Sequence, residues 1–453
     1  MGTRVKDMTS GKPLGLIITF ALPLMFGNVF QQLYTVIDTM VVGKALGVDA
    51  LAALGATDWL YWMLLGMVQG ITQGFGILMA REFGAKQFEN LKKVTGNAVT
   101  LSAVCALLFL VLGQAIAYPM LELLNTPQAI IGESLLYLRI MFLGLPIAMA
   151  YNLLACILRA LGNSGSPLIA MVVASLINIA LDILFVLVFD WGVAGAAWAT
   201  LIAQLVSCIY CLRQICKLKF MKLKRSHYRP NLPLTCRLLY LGAPMAAQNA
   251  IIAVGGMIIQ SVVNGYGVVF IGGFTASNKL YGVLEIAASS YGYAMITYVG
   301  QNLGANHFDR IKKGVRCAIG ISVATSALIA TVMILFGKNI LGMFIAGTPQ
   351  EVVEATSVGY DYLFTMSVCL PILYILHVTR SSVQGLGNTV LPMVSGVVEL
   401  IMRTAGIFLI PMLIGEYGVF VAEVSAWLGA DLILVPSYLI TVKKAEKTRP
   451  PVQ

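Results

Sequence analysis

Long apolar runs constrain this chain more than any other feature. Segments 101–117, 168–189, 317–336 and 390–414 are each about long enough to cross a ~30 Å hydrocarbon core as helix. Hydrophobic residues make up 58% of the chain and charged residues 11%, whereas a soluble domain carries roughly a quarter charged residues. Such a surface cannot face water everywhere. A transmembrane barrel would need short alternating segments, and none dominate. The 44 glycines are spread through the runs, which suits close helix–helix contact in lipid. The expected class is an all-α membrane protein.

Twelve spans are expected, at 14–42, 51–80, 91–117, 131–156, 166–189, 193–214, 236–263, 269–299, 314–337, 356–383, 390–413 and 417–441. The first is no cleavable signal, because Asn28, Gln31, Gln32 and Asp38 interrupt it and it is too long for such a core. The net charge of +10 does not indicate nucleic acid, because the basic residues form short clusters between spans. These clusters are Arg4, Lys6 and Lys12; Arg81, Lys86, Lys92 and Lys93; Lys217, Lys219, Lys222, Lys224, Arg225 and Arg229; Arg310, Lys312, Lys313 and Arg316; and Lys443, Lys444, Lys447 and Arg449. Alternate loops are nearly free of them, with only Lys44 in 43–50. The asymmetry predicts both termini in the cytoplasm. Eight cysteines without paired spacing predict free thiols rather than disulfides or a metal site.

The chain also repeats itself. GAKQFENLKK at 84–93 aligns with GANHFDRIKK at 304–313, Leu145-Pro146 with Leu370-Pro371, Leu161-Gly162-Asn163 with Leu386-Gly387-Asn388, and Pro167 with Pro392. Pro23 finds Pro244 after a one-residue gap. A nearly constant offset through polar loops is more than chance likeness between apolar segments. It predicts two pseudo-symmetric six-helix lobes, residues 1–215 and 236–453, joined by a basic cytoplasmic linker at 216–235. Parallel repeats of this kind hold a substrate site where they meet and alternate its access by rocking.

The stretches MVVGKALGVDALAALGA (40–56), GMVQGITQGFGILMAREFGAKQ (66–87), RALGNSGSP (159–167) and QGLGNTVLP (384–392) resemble the multidrug and toxic compound extrusion (MATE) transporters, over essentially the whole chain. The resemblance implies a secondary transporter that expels organic, often cationic and amphipathic compounds in exchange for inward H⁺ or Na⁺. It implies no other cofactor.

Ionisable residues at membrane depth are functional candidates by default. Gln31 and Asp38 lie seven residues apart on the first span, hence on one face. Asn178 and Asp182 lie four apart on the fifth. Tyr137 and Thr200 add hydroxyl oxygens. Two carboxylates meeting in a poorly hydrated place repel each other, so the pair is expected to hold a proton or a hard monovalent cation, with Na⁺ ligands at Asp38, Asp182, Asn178 and Thr200. The resemblance implies the same cation-coupling role for Asp38, Gln31, Tyr137, Asn178, Asp182 and Thr200, and a bend at Pro23. That proline is either a working hinge or a static kink; Tyr137 and Thr200 are either ligands or plain interhelical hydrogen-bond partners.

The second half differs from a family branch with acids inside spans seven and ten: span seven has Gln248, Asn249, Gln260 and Asn264, and span ten only Asp361 near its start. Glu399 and Arg403, four apart, are expected to pair along their helix. Glu285 either binds cationic cargo or pairs with Arg403. Tyr34, Tyr281, Glu285 and Glu399 are the candidate substrate contacts. A flippase for lipids or lipid-linked saccharides is the nearest rival, but it needs several bases to hold phosphate, and Arg139, Lys279 and Arg403 are the bases expected within spans. No GxxxxGK[ST] loop exists for ATP, and no nucleophile constellation indicates an enzyme. The expected partners are a small organic substrate and the lipid bilayer, with no nucleic acid, and the chain is expected to act as a monomer in a bacterial plasma or inner membrane.

Overall fold

The computed structural model describes residues 5–124, 126–343, 345 and 349–447. Arg4, Arg449 and the side chain of Lys44, counted above among the basic residues, lie outside the described residues. Every regular element among the described residues is a helix. In chain order they are α1 (Pro13–Leu46), α2 (Val48–Gly84), α3 (Phe88–Leu123), α4 (Ile131–Leu143), α5 (Leu145–Ala160), α6 (Gly165–Asp182), α7 (Gly192–Cys216), α8 (Leu232–Val263), α9 (Val268–Gly304), α10 (Phe308–Gly342), α11 (Pro349–Gly385), α12 (Val390–Leu409), the short α13 (Pro411–Ile414) and α14 (Gly418–Lys447). A π-helical turn, Ile183–Val188, continues α6.

Among the described residues, nine stretches are long and apolar enough to cross a membrane, or ten if the bent pair α4–α5 is one span. One of the nine, Val390–Lys447, holds both α12 and α14, and α9 is 37 residues long but more polar. The rods thus number twelve, as expected. Their outer faces are apolar: Leu107, Val111, Leu328, Leu335 and Leu432 are all well exposed, as lipid-facing side chains should be.

The fourth span departs from the expected single rod. It bends by 44° where α4 meets α5. Gly144 stands at the break and Pro146 in the first turn of α5, where its missing N–H removes no helical bond. A Cβ at Gly144 would collide with the Leu201 side chain of α7, so the glycine lets the bent span lie close against its neighbour. The repeated Leu370-Pro371 lies inside the unbroken α11; there Cys369 replaces the helix-weakening glycine.

The duplication is visible in the backbone. Lys86 and Asn306 both adopt φ of 58°, and Gly162 and Gly387 adopt 78° and 85°. At Lys86 the N–H donates to Phe83 O (3.0 Å) and the next residue to Glu82 O (3.0 Å); at Asn306 the same pair goes to Leu303 O (3.1 Å) and Asn302 O (2.9 Å). These are matching left-handed helix stops. After the second stop, Asn163 Oδ1 accepts the Ser166 N–H and Asn388 Oδ1 accepts the Leu391 N–H, starting α6 and α12 alike.

Two compact units result, Met1–Ser10 with Leu22–Ala250, and Gly11–Ala21 with Ile251–Gln453. In the first, a cluster of Val42, Leu54, Tyr137, Met141, Val186, Ala196 and Leu201 gathers α1, α2, α4, α6 and α7. This core fixes the side chains described next.

Candidate functional site

In the first unit, Asp38 of α1 and Asp182 at the end of α6 lie within hydrogen-bonding reach of each other. Ionised carboxylates only accept hydrogen bonds, so the contact calls for a proton or a cation. Asp182 is 0% exposed and Asn178, one turn earlier, 2%. Asn178 Nδ2 donates to Thr200 Oγ1 of α7 (3.4 Å), and one turn further Gln204 Nε2 donates to Tyr61 Oη of α2 (3.4 Å). Both amides therefore spend an N–H on a neighbouring hydroxyl. Asp38 Oδ1, both Asp182 oxygens, Asn178 Oδ1 and Gln204 Oε1 are buried without a donor. Buried polar atoms are almost always satisfied, so the facing carboxylates of Asp38 and Asp182, with the Asn178 oxygen one turn away, mark a place that suits positive charge.

Tyr34, Tyr61 and Tyr137 stand around the pair, and Asp58 of α2 adds a third carboxylate within electrostatic reach of Asp38. The expected set of Asp38, Asp182, Asn178, Thr200 and Tyr137 is thus drawn together. Tyr34, expected as a substrate contact, belongs to the same group. Gln31 is not joined to it: its carbonyl accepts the Thr35 hydroxyl (3.0 Å), and no hydrogen bond of its side chain is seen among the described residues. Pro23 lies inside an uninterrupted α1. Gln204, Tyr61 and Asp58 were not expected as members; the signal for Gln204 was its spacing of four from Thr200.

The second unit holds a buried ion chain. Arg380 Nη2 donates to Glu399 Oε2 (2.6 Å), Arg403 Nη2 to Glu399 Oε1 (3.2 Å) and to Glu423 Oε1 (2.6 Å). The expected Glu399–Arg403 pair is present, but Glu399 also accepts from Arg380, so both of its oxygens are occupied. Arg380 corrects the sequence reading, which did not count it among the bases within spans. Glu285 finds His377 Nε2 at 3.3 Å rather than Arg403. Tyr281 stacks on Trp427 with centroids 6.0 Å apart and lies within electrostatic reach of Glu285 and Glu423. Asp431 Oδ1 is buried without a donor. Glu423, Trp427 and Asp431, none of them expected from the sequence, recur every four residues on α14, and that one-face spacing is the signal that could have found them.

A family model described as MatE matches residues 23–184 and 244–411. The protein "Probable multidrug resistance protein YoeA" of Bacillus subtilis (strain 168) is 29% identical over 417 residues, covering 89% of this chain and 84% of its own length. The "Multidrug export protein MepA" of Staphylococcus saprophyticus is 23% identical over 449 residues, covering 94% and 95%. Among solved structures, a multidrug resistance MATE transporter of the MOP superfamily in an outward-facing conformation superposes with a TM-score of 0.90 at 20% identity, covering 99% of this chain and 100% of that one. A MOP superfamily transporter from Pyrococcus furiosus superposes with a TM-score of 0.91 at 20% identity, over 99% and 100%. The twelve-helix fold is therefore shared with solved transporters. With the family model matching both halves, this multi-pass membrane chain belongs to the MatE family, whose members are transport proteins and not enzymes.

Proposed function

We propose that the chain expels organic, cationic or amphipathic compounds by antiport with H⁺ or Na⁺, with alternating access from rocking of two lobes. Relatives named for multidrug resistance and multidrug export support the cargo class. The observation that carries the coupling is the donor-free group of oxygens at Asp38, Asn178, Asp182 and Gln204. Asp38 and Asp182 take the incoming cation; Asn178, Gln204 and Thr200 present oxygens to it. Tyr137 and the neighbouring tyrosines limit water. Gln31 serves the same face of α1 from two turns away, and Pro23 lets that helix bend when the charge changes.

Glu285 and Tyr281 are the preferred cargo contacts: a carboxylate beside an aromatic face suits an organic cation. Glu399 carries structure instead, since two arginines occupy it. The same occupancy speaks against a phosphate-holding flippase, because Arg380 and Arg403 already have carboxylate partners. Both termini are placed in the cytoplasm, and the protein works as a monomer in a bacterial cell membrane.

The test is efflux of an organic cation from vesicles holding the purified chain, with an imposed pH or sodium gradient. Asp38→Asn should insert normally and lose gradient-driven flux; undiminished flux would remove the coupling role. Glu285→Gln should weaken binding of the cationic cargo, and unchanged affinity would strike Glu285 from the contacts.

A further inference from the structure

The segment between α7 and α8 is bolted to the first turns of α3. Leu218, Met221 and His227 point inward and are buried. Asn97 Nδ2 donates to His227 O (3.4 Å), Asn97 Oδ1 accepts the Asn231 N–H (2.8 Å), and Thr100 Oγ1 donates to Tyr228 O (3.0 Å). His227 Nδ1 accepts the Lys224 N–H (2.9 Å), and its Nε2 faces Glu89 at 3.6 Å. A Cβ at Gly96 would collide with the His227 carbonyl, so the strap rests directly on the helix backbone. Phe220 packs on Phe88 with centroids 5.3 Å apart.

Between these anchors Lys217, Lys219, Lys222, Lys224, Arg225 and Arg229 are all exposed. None of the six forms a salt bridge among the described residues; Lys217 Nζ meets only the Gln214 amide, at 3.5 Å. Glu89 of α3 lies within electrostatic reach of Lys224 but pairs with Lys92 (2.6 Å). The basic residues at the start of α10, in the loop that matches residues 84–93 rather than the strap, are differently placed. There Arg310 donates to Asn302 Oδ1 (3.0 Å) and Gly11 O (3.0 Å), and Lys312 pairs with Glu446 (2.8 Å). Topology requires only that bases be present near the ends of spans. It does not require six of them to be held outward on a pinned strap.

We propose that this strap docks anionic phospholipid headgroups of the leaflet in which α7 and α8 end. Both helices abut it, at Cys216 and Leu232, so the bases lie at headgroup level. Exposed Phe88 and Tyr228 flank them, and aromatic side chains favour that interface. Each base close to an anionic surface adds attraction that salt screens.

The full chain in neutral detergent is titrated with fluorescent phosphatidylglycerol and with phosphatidylcholine of the same acyl chains. The unaltered protein should prefer the anionic lipid about tenfold or more, given several bases acting together. The preference should vanish near 1 M salt, where the screening length is about 3 Å. Replacing Lys219, Lys222, Lys224 and Arg225 together by Gln should abolish it, while Arg at the three lysine positions should keep it. Asn97→Ala leaves the charge unchanged but removes two anchors, and should reduce the preference several-fold. No preference in the unaltered protein, or a preference that survives the Gln variant, would overturn the proposal. An unchanged preference in Asn97→Ala would overturn its geometric part, and inorganic phosphate competing as well as the lipid would show a free-anion site instead. The measurement involves no transport, so its failure is distinct from failure of the coupling reading.

Discussion

At the scale of single residues, the two units treat buried charge in opposite ways. In the first, two carboxylates face each other with no ion pair to a base among the described residues; in the second, Glu399 and Glu423 are held by Arg380 and Arg403. Removing one partner of a buried pair leaves the other uncompensated, at about 3–5 kcal/mol. Glu399→Gln should therefore lower the unfolding midpoint clearly, whereas Asp182→Asn, which relieves repulsion, should leave it unchanged or raise it. Thermal unfolding of both variants in detergent checks this contrast, and equal destabilisation would refute it. In transport, Asp38→Asn and Asp182→Asn should each cost about 100-fold or more, and the double variant little beyond either, because residues acting as a unit are not additive. A product of the two separate losses would mean independent roles.

The sequence showed the acid pair because lone charges inside apolar runs stand out. It could not show that the Asn178 and Gln204 amides give their N–H groups to Thr200 and Tyr61, since that orientation depends on side chains from two other helices. Arg380 was overlooked because a base near the end of a span resembles an interfacial anchor.

Among elements, helices were legible from apolar length; the Gly-Ala and Gly-Asn pairs were legible as repeats, but the left-handed stops beside them appear only in the backbone. Two local departures were not legible either. The break at Gly144 needs the contact with Leu201 to explain it, and the π turn at Ile183–Val188 leaves no mark in hydropathy. That turn begins at the residue after Asp182, and π turns are frequent at working sites. It carries an extra residue that sets the register between Asp182 and the stacked Phe185 and Trp191, whose centroids are 4.8 Å apart. Deleting Leu184 should regularise the turn, keep membrane insertion and abolish transport; normal efflux from the deletion would make the turn incidental. Pro23→Ala should slow turnover more than it weakens cargo binding. Equal losses in the two measurements would favour a static kink.

On the scale of the whole molecule, the duplication written at an offset of 220–226 residues reappears as paired helix stops at Lys86 and Asn306 and at Gly162 and Gly387. Backbone geometry has stayed alike while the polar interiors have diverged, one toward acceptors and the other toward neutralised ion pairs. The function proposed above gives cargo handling and cation coupling to different units. Flux of an organic cation in vesicles under a pH gradient alone and a sodium gradient alone, for the unaltered chain and for Asp182→Asn, measures that division most directly. The unaltered chain should respond to at least one gradient and the variant to neither, with cargo affinity retained. A variant that still follows the gradient would contradict the account.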